Sequence, residues 1–399
     1  MTTSADALHR LVTTAARLTP GDALGLVDEV GRILGAASAR LYIADYGLRR
    51  LQEVDTDGPV GPALTMAGTL PGRAFATGEV LVSETSPTVV SVPLADGVER
   101  IGLLELRYDE WPGELPDLLD AVVAVLVMAL VTKRRYTDQW ARARRSVPLT
   151  PAAEIQWDLL PPLSCSTAEV AVGGILEPAY EIGGDSFDYA VNGPLLELAI
   201  VDAIGRGLSA VLMSAAAVNS LRNSRRAGVD LKTTYEVADR VIESQFGSSF
   251  FVTAQMAQLD IRTGMLTWVN AGHMPPLLIR NGTFAGELRC TPSLPIGLGG
   301  KVAEVATTAL QTGDRVLFYT DGLTESVSPD GTRFGEERLA DYLVRSSLDR
   351  VPVAETARRL AAHVMDHVTQ GLSDDATILL VEYRGPDRTA GTAGLPSTR

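Results

Sequence analysis

Cysteine is almost missing from this 399-residue chain: only Cys165 and Cys290 occur, far apart and outside any C-x-x-C pair. That excludes a disulfide framework and a thiolate metal site, and it fits a reducing compartment, the cytoplasm. Neither can head a phosphate-cradling loop that needs an Arg six positions on, because Ala171 and Ile296 stand there. Basic charge is also short, with 35 Lys and Arg against 49 Asp and Glu and a net charge of −14. Nucleic acid is therefore not an expected partner, since phosphate binding draws its affinity from clustered cations. Long apolar runs are lacking too. The longest, "AVVAVLVMALV" from Ala121 to Val131, has eleven residues, whereas a membrane span needs about 20. The N-terminus, MTTSADALHR, has no apolar signal core. No stable membrane insertion is expected. The composition, 46% hydrophobic and 21% charged, describes folded domains with ample core.

The first 112 residues read as a small α/β domain. "ALHRLVTTAARL" and "ALGLVDEVGRILGA" have helical spacing, "ARLYIADYG" with "RLQEV" reads as a hairpin, and "SVPLADGVERIGLLELRYD" reads as two strands across a turn. With the loop-helix segment "GTLPGRAFATGEVLVSE" between the hairpins, this order resembles a GAF sensor domain. Its only His is His9 and it has no Cys, which leaves a haem without ligands. A small ligand is one role for such a domain and dimerisation without a ligand is the other. Residues 113–150 read as a linker, mostly one helix from Pro116 to Arg145. Leu119, Val122, Leu126 and Leu130 recur along one face and the opposite face is also apolar. One face is expected to pack on the sensor domain and the other on a second copy of the chain, making a homodimer.

From 151 to 384 the pattern becomes antiparallel α+β. "AAEIQWDLLPP" is a short helix stopped by prolines. "EVAVGGILEPA", "SFDYAVN" and "LLELAIVDA" are strands, two blocks of paired helices follow, and hairpins separate them. The tail 385–399, rich in Gly, Pro, Thr and Ser, is expected to be disordered.

Four places in this half put an Asp at or beside the end of an apolar strand. They are Asp185 in "EIGGDSFDYA", Asp202 in "LAIVDAIGRG", Asp321 in "VLFYTDG", and Asp374 with Asp375 in "SDDATILLV". The first resembles the GGDEF signature of cyclases that join two GTP molecules, but Ser186 stands where that chemistry needs a second carboxylate. One such Asp is ordinarily a turn or cap residue. Several carboxylates raised on converging strand ends repel one another unless cations neutralise them, and all-oxygen sites suit Mg²⁺ or Mn²⁺. His273 in "NAGHMPP" falls between Asp202 and Asp321 in sequence order, and its prolines point to a structural turn.

"EIGGDSFD", "DAIGRGLSAVLMS", "VNAGHMPPLL", "LPIGL", "GDRVLFYTDGLTE" and "DDATILLV" come in the order found in bacterial metal-dependent serine/threonine phosphatases of the SpoIIE and RsbU type, which the chain resembles over residues 150–384. The resemblance implies a PPM-type α-β-β-α sandwich holding two Mn²⁺ or Mg²⁺ ions. It implies that Asp202 bridges both, that the Ala203 carbonyl assists, that Asp185 holds one ion, and that Asp321 and Asp374 hold the other. A water shared by the ions then attacks phosphorus, and Asp185 and Asp202 act through it. Eukaryotic relatives have a His two residues after the bridging Asp, where this chain has Ile204. The substrate implied is a phosphorylated anti-sigma-factor antagonist of the STAS class. A weak or inactive relative that only binds partners is the alternative.

Overall fold

The computed structural model describes residues 4–386 apart from 56–57, 84, 98, 179, 181–182, 301–302, 369–371 and 373. Glu181, Ile182 and residues 387–399 of the tail lie outside the described residues. The chain divides into two compact units, Met1–Pro148 and Leu149–Arg399.

In the first unit α1 (Ser4–Arg17) and α2 (Leu26–Ile33) precede β1 (Ser38–Ala44), β2 (Arg50–Asp55) and β3 (Gly58–Thr65). Then come α3 (Leu70–Thr77), β4 (Leu81–Val82), β5 (Thr88–Ala95), β6 (Arg100–Tyr108), α4 (Leu119–Lys133) and α5 (Gln139–Arg144). The strands form one antiparallel sheet in the order β3-β2-β1-β6-β5-β4. β3 was not expected. It carries Pro59 and Pro62, which a strand tolerates only at an edge, and it lies at one.

The expected helix from Pro116 to Arg145 is broken. α4 ends at Lys133, a 3₁₀ turn covers Arg134–Tyr136, and Thr137 is extended before α5. No Pro or Gly marks the break. Tertiary contacts hold it: Arg134 lies over the Trp140 ring and 3.5 Å from Glu99, and Arg144 lies over the Tyr46 ring. The row Leu119, Val122, Leu126 and Leu130 is buried in the unit's own core with Leu11, Val30 and Leu104, so it is not available to a second copy.

The second unit begins with α6 (Pro151–Leu159), capped by Thr150, whose hydroxyl accepts from the Ala153 N–H at 3.2 Å. β7 (Ser164–Ser166), β8 (Val170–Glu177), β9 (Asp185–Asn192) and β10 (Leu195–Ala203) lead to α7 (Leu208–Arg226) and α8 (Leu231–Phe246). β11 (Val252–Asp260), β12 (Met265–Ala271), β13 (Leu277–Arg280), β14 (Thr283–Glu287), β15 (Val305–Ala309) and β16 (Arg315–Tyr319) follow. Last come α9 (Asp321–Glu325), α10 (Gly335–Leu348), α11 (Val353–His367) and β17 (Ala376–Tyr383).

Two antiparallel sheets result, ordered β15-β12-β11-β10-β9 and β14-β13-β16-β17-β8-β7. Between them lie Phe187, Leu198, Leu259, Val316, Phe318 and Leu379, all buried. Each such side chain contributes about 1.5–3 kcal/mol before entropy is subtracted. α7 and α8 cover the outer face of the first sheet, and α10 and α11 that of the second. This is the α-β-β-α sandwich. Among the described residues no helix is long and apolar enough to cross a membrane.

Candidate active site

Strand alternation places the acids. In β10, Leu196, Leu198 and Ile200 point into the layer between the sheets, while Ala199, Val201 and Ala203 face α7 and α8. With a period of two, Asp202 continues the inward row. In β9, Phe187 and Tyr189 point inward, and Asp185 continues their row. Asp185 and Asp202 are direct cross-strand partners, which puts their Cβ atoms about 5 Å apart. Two carboxylates thus stand where the packing pattern would put two apolar side chains.

The opposite sheet meets them with hydroxyls. Val316 and Phe318 point inward from β16 and Leu379 and Val381 from β17, so Thr320 and Thr377 fall on the same side. Thr320 donates to Asp185 Oδ2 at 2.6 Å and Thr377 donates to the same oxygen at 2.7 Å. Asp375 extends the β17 row. Its Oδ2 accepts from the Gly183 N–H at 2.6 Å and the Asp185 N–H at 3.3 Å. It therefore fixes the glycine turn that delivers Asp185. Gly184 has no room for a side chain, because a Cβ there would lie 2.1 Å from the Ala203 carbonyl oxygen. Gly322 is bound in the same way: its Cβ would lie 1.9 Å from the Asp375 carbonyl oxygen, so α9 starts hard against the 374–375 backbone and brings Asp321 with it.

The carboxyls feel one another. Burial raises Asp185 well above the usual carboxylate range, and Asp202 and Asp375 push it further. Burial, then Asp321, Asp374 and Asp375, push Asp202 up to about 7. Asp321 is raised by burial, then by Glu325 and Asp374. Asp202 links the two groups: its charge raises Asp185, and Asp321, Asp374 and Asp375 raise Asp202. Asp374 is more than half exposed and 3.7 Å from the Arg206 guanidinium. Among the described residues, no three acid, His or Cys side chains are gathered tightly enough to form a ready cation site. The donor chemistry nonetheless suits hard divalent cations: all-oxygen, crowded, and destabilised as anions by the surroundings.

His273 is not part of this chemistry. Burial pushes its imidazole down to about 4, so it is neutral. Nε2 lies 3.0 Å from the Tyr319 carbonyl oxygen, which can only accept, so Nε2 carries the hydrogen and Nδ1 accepts from Thr253 at 2.8 Å. It ties the turn after β12 to β16. Ile204, in the position where eukaryotic relatives carry His, is exposed and has no proton to give. Thr320, Thr377 and Asp375 were not among the expected ligands, though the inward parity of β16 and β17 was the signal for them.

The family described as Stage II sporulation protein E (SpoIIE) matches over residues 193–384. These residues form a SpoIIE-family phosphatase domain. The match takes in Asp202, Ala203, Asp321 and Asp374, and Asp185 lies just before it. Phosphoserine phosphatase RsbU of Bacillus subtilis (strain 168) is 22% identical over 298 residues, covering 72% of this chain and 85% of RsbU. Phosphoserine phosphatase RsbP of the same organism is 25% identical over 224 residues, covering 54% of this chain and 53% of RsbP. Among solved structures, the SiaA-PP2C domain of Pseudomonas aeruginosa matches with a TM-score of 0.50 at 22% identity, covering 58% of this chain and 94% of that one. The SpoIIE-type half of the chain is thus an enzyme of the PPM class of serine/threonine phosphatases.

Proposed function

We propose that the chain removes phosphate from a phosphoserine or phosphothreonine of a regulatory protein, an anti-sigma-factor antagonist of the STAS class, under the control of its N-terminal unit. The observation that carries the catalytic reading is the Asp185–Asp202 pair at the end of the inter-sheet core, faced by Asp321, Asp374 and Asp375 from the other sheet. Two Mn²⁺ or Mg²⁺ ions would be held by Asp202 between them, Asp185 and the Ala203 carbonyl on one, and Asp321 and Asp374 on the other. Bound there, such ions lower the pKa of a shared water and neutralise charge on the phosphoryl group. The chain's own contribution is positional. Thr320 and Thr377 fix one oxygen of Asp185, Asp375 fixes the turn before it, and the paired strands hold Asp202.

The N-terminal unit is read as a GAF-like sensor, with or without a small ligand, and the chain as a homodimer. The relatives support the substrate class by family analogy. One observation favours the alternative, a weak phosphatase that acts by binding partners: among the described residues no three acids are tightly gathered. Incubating the full chain and Mn²⁺ with phosphorylated STAS proteins separates the two. Release of phosphate from one of them is expected. Robust release from a different phosphoprotein and none from any STAS protein would overturn the substrate, and no release from any phosphate ester would favour the partner-binding alternative.

A further inference from the structure

We propose that an apolar rim beside Asp202 is the docking surface for the phosphoprotein substrate, and that the substrate carries a matching apolar face next to its phosphorylated residue. The inference rests on the phosphatase reading and adds what holds a protein substrate there. The rim consists of Ile204, Leu208, Leu212, Phe250 and Leu298, each 37–49% exposed. Strand pairing brings three of them to the edge where the acids stand. Asp202 pairs with Thr253 and Ala203 with Val252, so the end of β10 and the start of β11 share the edge at which β9 begins with Asp185. Just beyond, the Ile204 N–H donates to the Phe251 carbonyl oxygen at 3.1 Å. Val252 and Ile296 exchange backbone hydrogen bonds of 2.9 and 2.8 Å, and a Cβ on Gly297 would lie 2.9 Å from the Phe250 carbonyl oxygen. Ile204, Phe250 and Leu298 thus sit on adjoining segments of one edge.

Helix α7 supplies the other two. Its exposed positions read Leu208, Ser209, Leu212, Asn219, Asn223 and Arg226. Leu208 and Leu212 are one turn apart on the same face, at the end of α7 that residues 204–207 join to β10. Farther along, that face is polar. Single exposed leucines need no explanation, but apolar side chains collected at one place mark a contact. The occupant follows from reach. A phosphoserine side chain is short, so a substrate whose phosphorus meets the acids holds its own backbone within a few ångströms of them, and the surface flanking that backbone covers the rim. On the Asp202 side the rim is these five residues. Apolar burial there adds affinity that salt does not screen. A small aryl phosphate reaches the acids without covering the rim, and it is the natural control.

The test uses the full chain with Mn²⁺ as wild type, Leu212→Asp, Phe250→Ala and Asn223→Asp, the last placing the same charge farther along α7. A phosphorylated STAS protein and para-nitrophenyl phosphate give kcat and KM, calorimetry gives binding of the phosphorylated STAS protein, and light scattering gives the mass. Leu212→Asp and Phe250→Ala should each raise KM for the STAS protein about tenfold with kcat nearly unchanged, the mark of lost docking. Asn223→Asp should match wild type, and all three variants should turn over the aryl ester as wild type does. An unchanged KM for the STAS protein in both rim variants would overturn the proposal, and so would an equal rise in Asn223→Asp, which would trace the effect to added charge. Two further results would overturn it by naming another occupant: altered turnover of the aryl ester, which would mean that the rim packs on the chain itself, or a mass that falls in Leu212→Asp, which would give the rim to a second copy. Wild type active on the aryl ester and on no STAS protein would overturn this docking and leave the phosphatase reading standing. If wild type is inert towards both, the phosphatase reading falls and binding alone decides the docking: retained in wild type and lost in Leu212→Asp supports it, and equal in the two overturns it.

Discussion

Asp45 and Asp202 each close an apolar strand, one in each half of the chain, and burial raises the carboxyls of both above the usual range. Their surroundings differ. One oxygen of Asp45 accepts from the Arg49 N–H at 2.7 Å and the Arg50 N–H at 2.9 Å, because the hairpin doubles back within five residues. Asp202 has no hydrogen-bond donor among the described residues and is faced by other carboxylates. Outside the candidate site the described buried aspartates side with Asp45: Asp188 has two arginines, Asp239 the Gly297 N–H at 2.7 Å, and Asp314 has Arg280. A strand-end acid is a structural part when the chain supplies donors to it. It is a candidate for chemistry when other carboxylates face it, as they face Asp202 and, beside its two hydroxyl donors, Asp185.

The sharpest way to break this contrast is to neutralise both residues. Asp202→Asn should cut Mn²⁺-dependent turnover by at least about 100-fold, the loss seen when even an outer partner of a metal ligand is removed. Its melting temperature should hold, since no donor loses a partner. Asp45→Asn should leave turnover intact and cost about 1–2 kcal/mol of stability, because the turn's two N–H groups lose a charged acceptor. Turnover on an aryl phosphate and calorimetric melting read the two arms. Near-normal turnover by Asp202→Asn at saturating Mn²⁺ would end the ligand assignment.

The adjacent acids allow the same comparison within one dipeptide. Asp375 is buried and accepts from two backbone N–H groups, whereas Asp374 is exposed and its Oδ1 accepts from the Asp375 N–H. Asp374→Asn should therefore lower turnover and raise the Mn²⁺ midpoint with little change in melting. Asp375→Asn should cost about 1–3 kcal/mol of stability through the unsatisfied turn, and its activity loss should be the smaller of the two. Reversal of the activity order would move the ligand by one residue.

Much of this site is written in the chain as alternation. Leu196, Leu198, Ile200, Asp202 is one inward row, and the residue type at its last position departs from the row's chemistry. For the partners across the sandwich, alternation gives the inward parity but not which residue each one meets. Thr320 and Thr377 reach Asp185 over sequence separations of 135 and 192 residues, and nothing local in "FYTDG" or "DDATI" says which strand they face. The break after Lys133 was hidden for a related reason. "VTKRRYTDQW" has no helix breaker, and the turn is held by Glu99, Tyr46 and Trp140, which only the fold brings near.

His273 extends the contrast to a third buried titratable group, one with both ring nitrogens partnered. Its folded pKa, about 4, lies below the ordinary value of 6.5. A depressed pKa means that the unfolded chain binds the proton first. The stability tied to a neutral His273 is therefore whole above pH 6.5 and is lost as pH falls from 6.5 towards 4, at about 1 kcal/mol per pH unit. Denaturant titrations of wild type and His273→Gln across that window should show the difference between them shrinking as pH falls. A constant difference would mean that the imidazole titrates normally and is less enclosed than described.

The smallest effect is expected where the N-terminal unit leaves apolar surface outside its closed core. α4 has two faces: Leu126 is fully buried, while Met128 is 61% exposed, on a side that also carries Ala121, Ala124 and Val125. Pairing of two chains through this helix has to use the Met128 side, because the Leu126 side is already filled. Leu126→Asp would damage the core and report folding rather than pairing. Met128→Lys is the cleaner variant, since an exposed substitution away from caps and networks shifts stability by no more than about 0.5 kcal/mol. Its melting should match wild type, while its mass in solution should fall from twice the chain mass to the single mass as the charge meets its copy across the interface. A wild type already at the single mass would remove the dimer, and a variant that stays at twice the mass would place the pairing surface elsewhere on the chain.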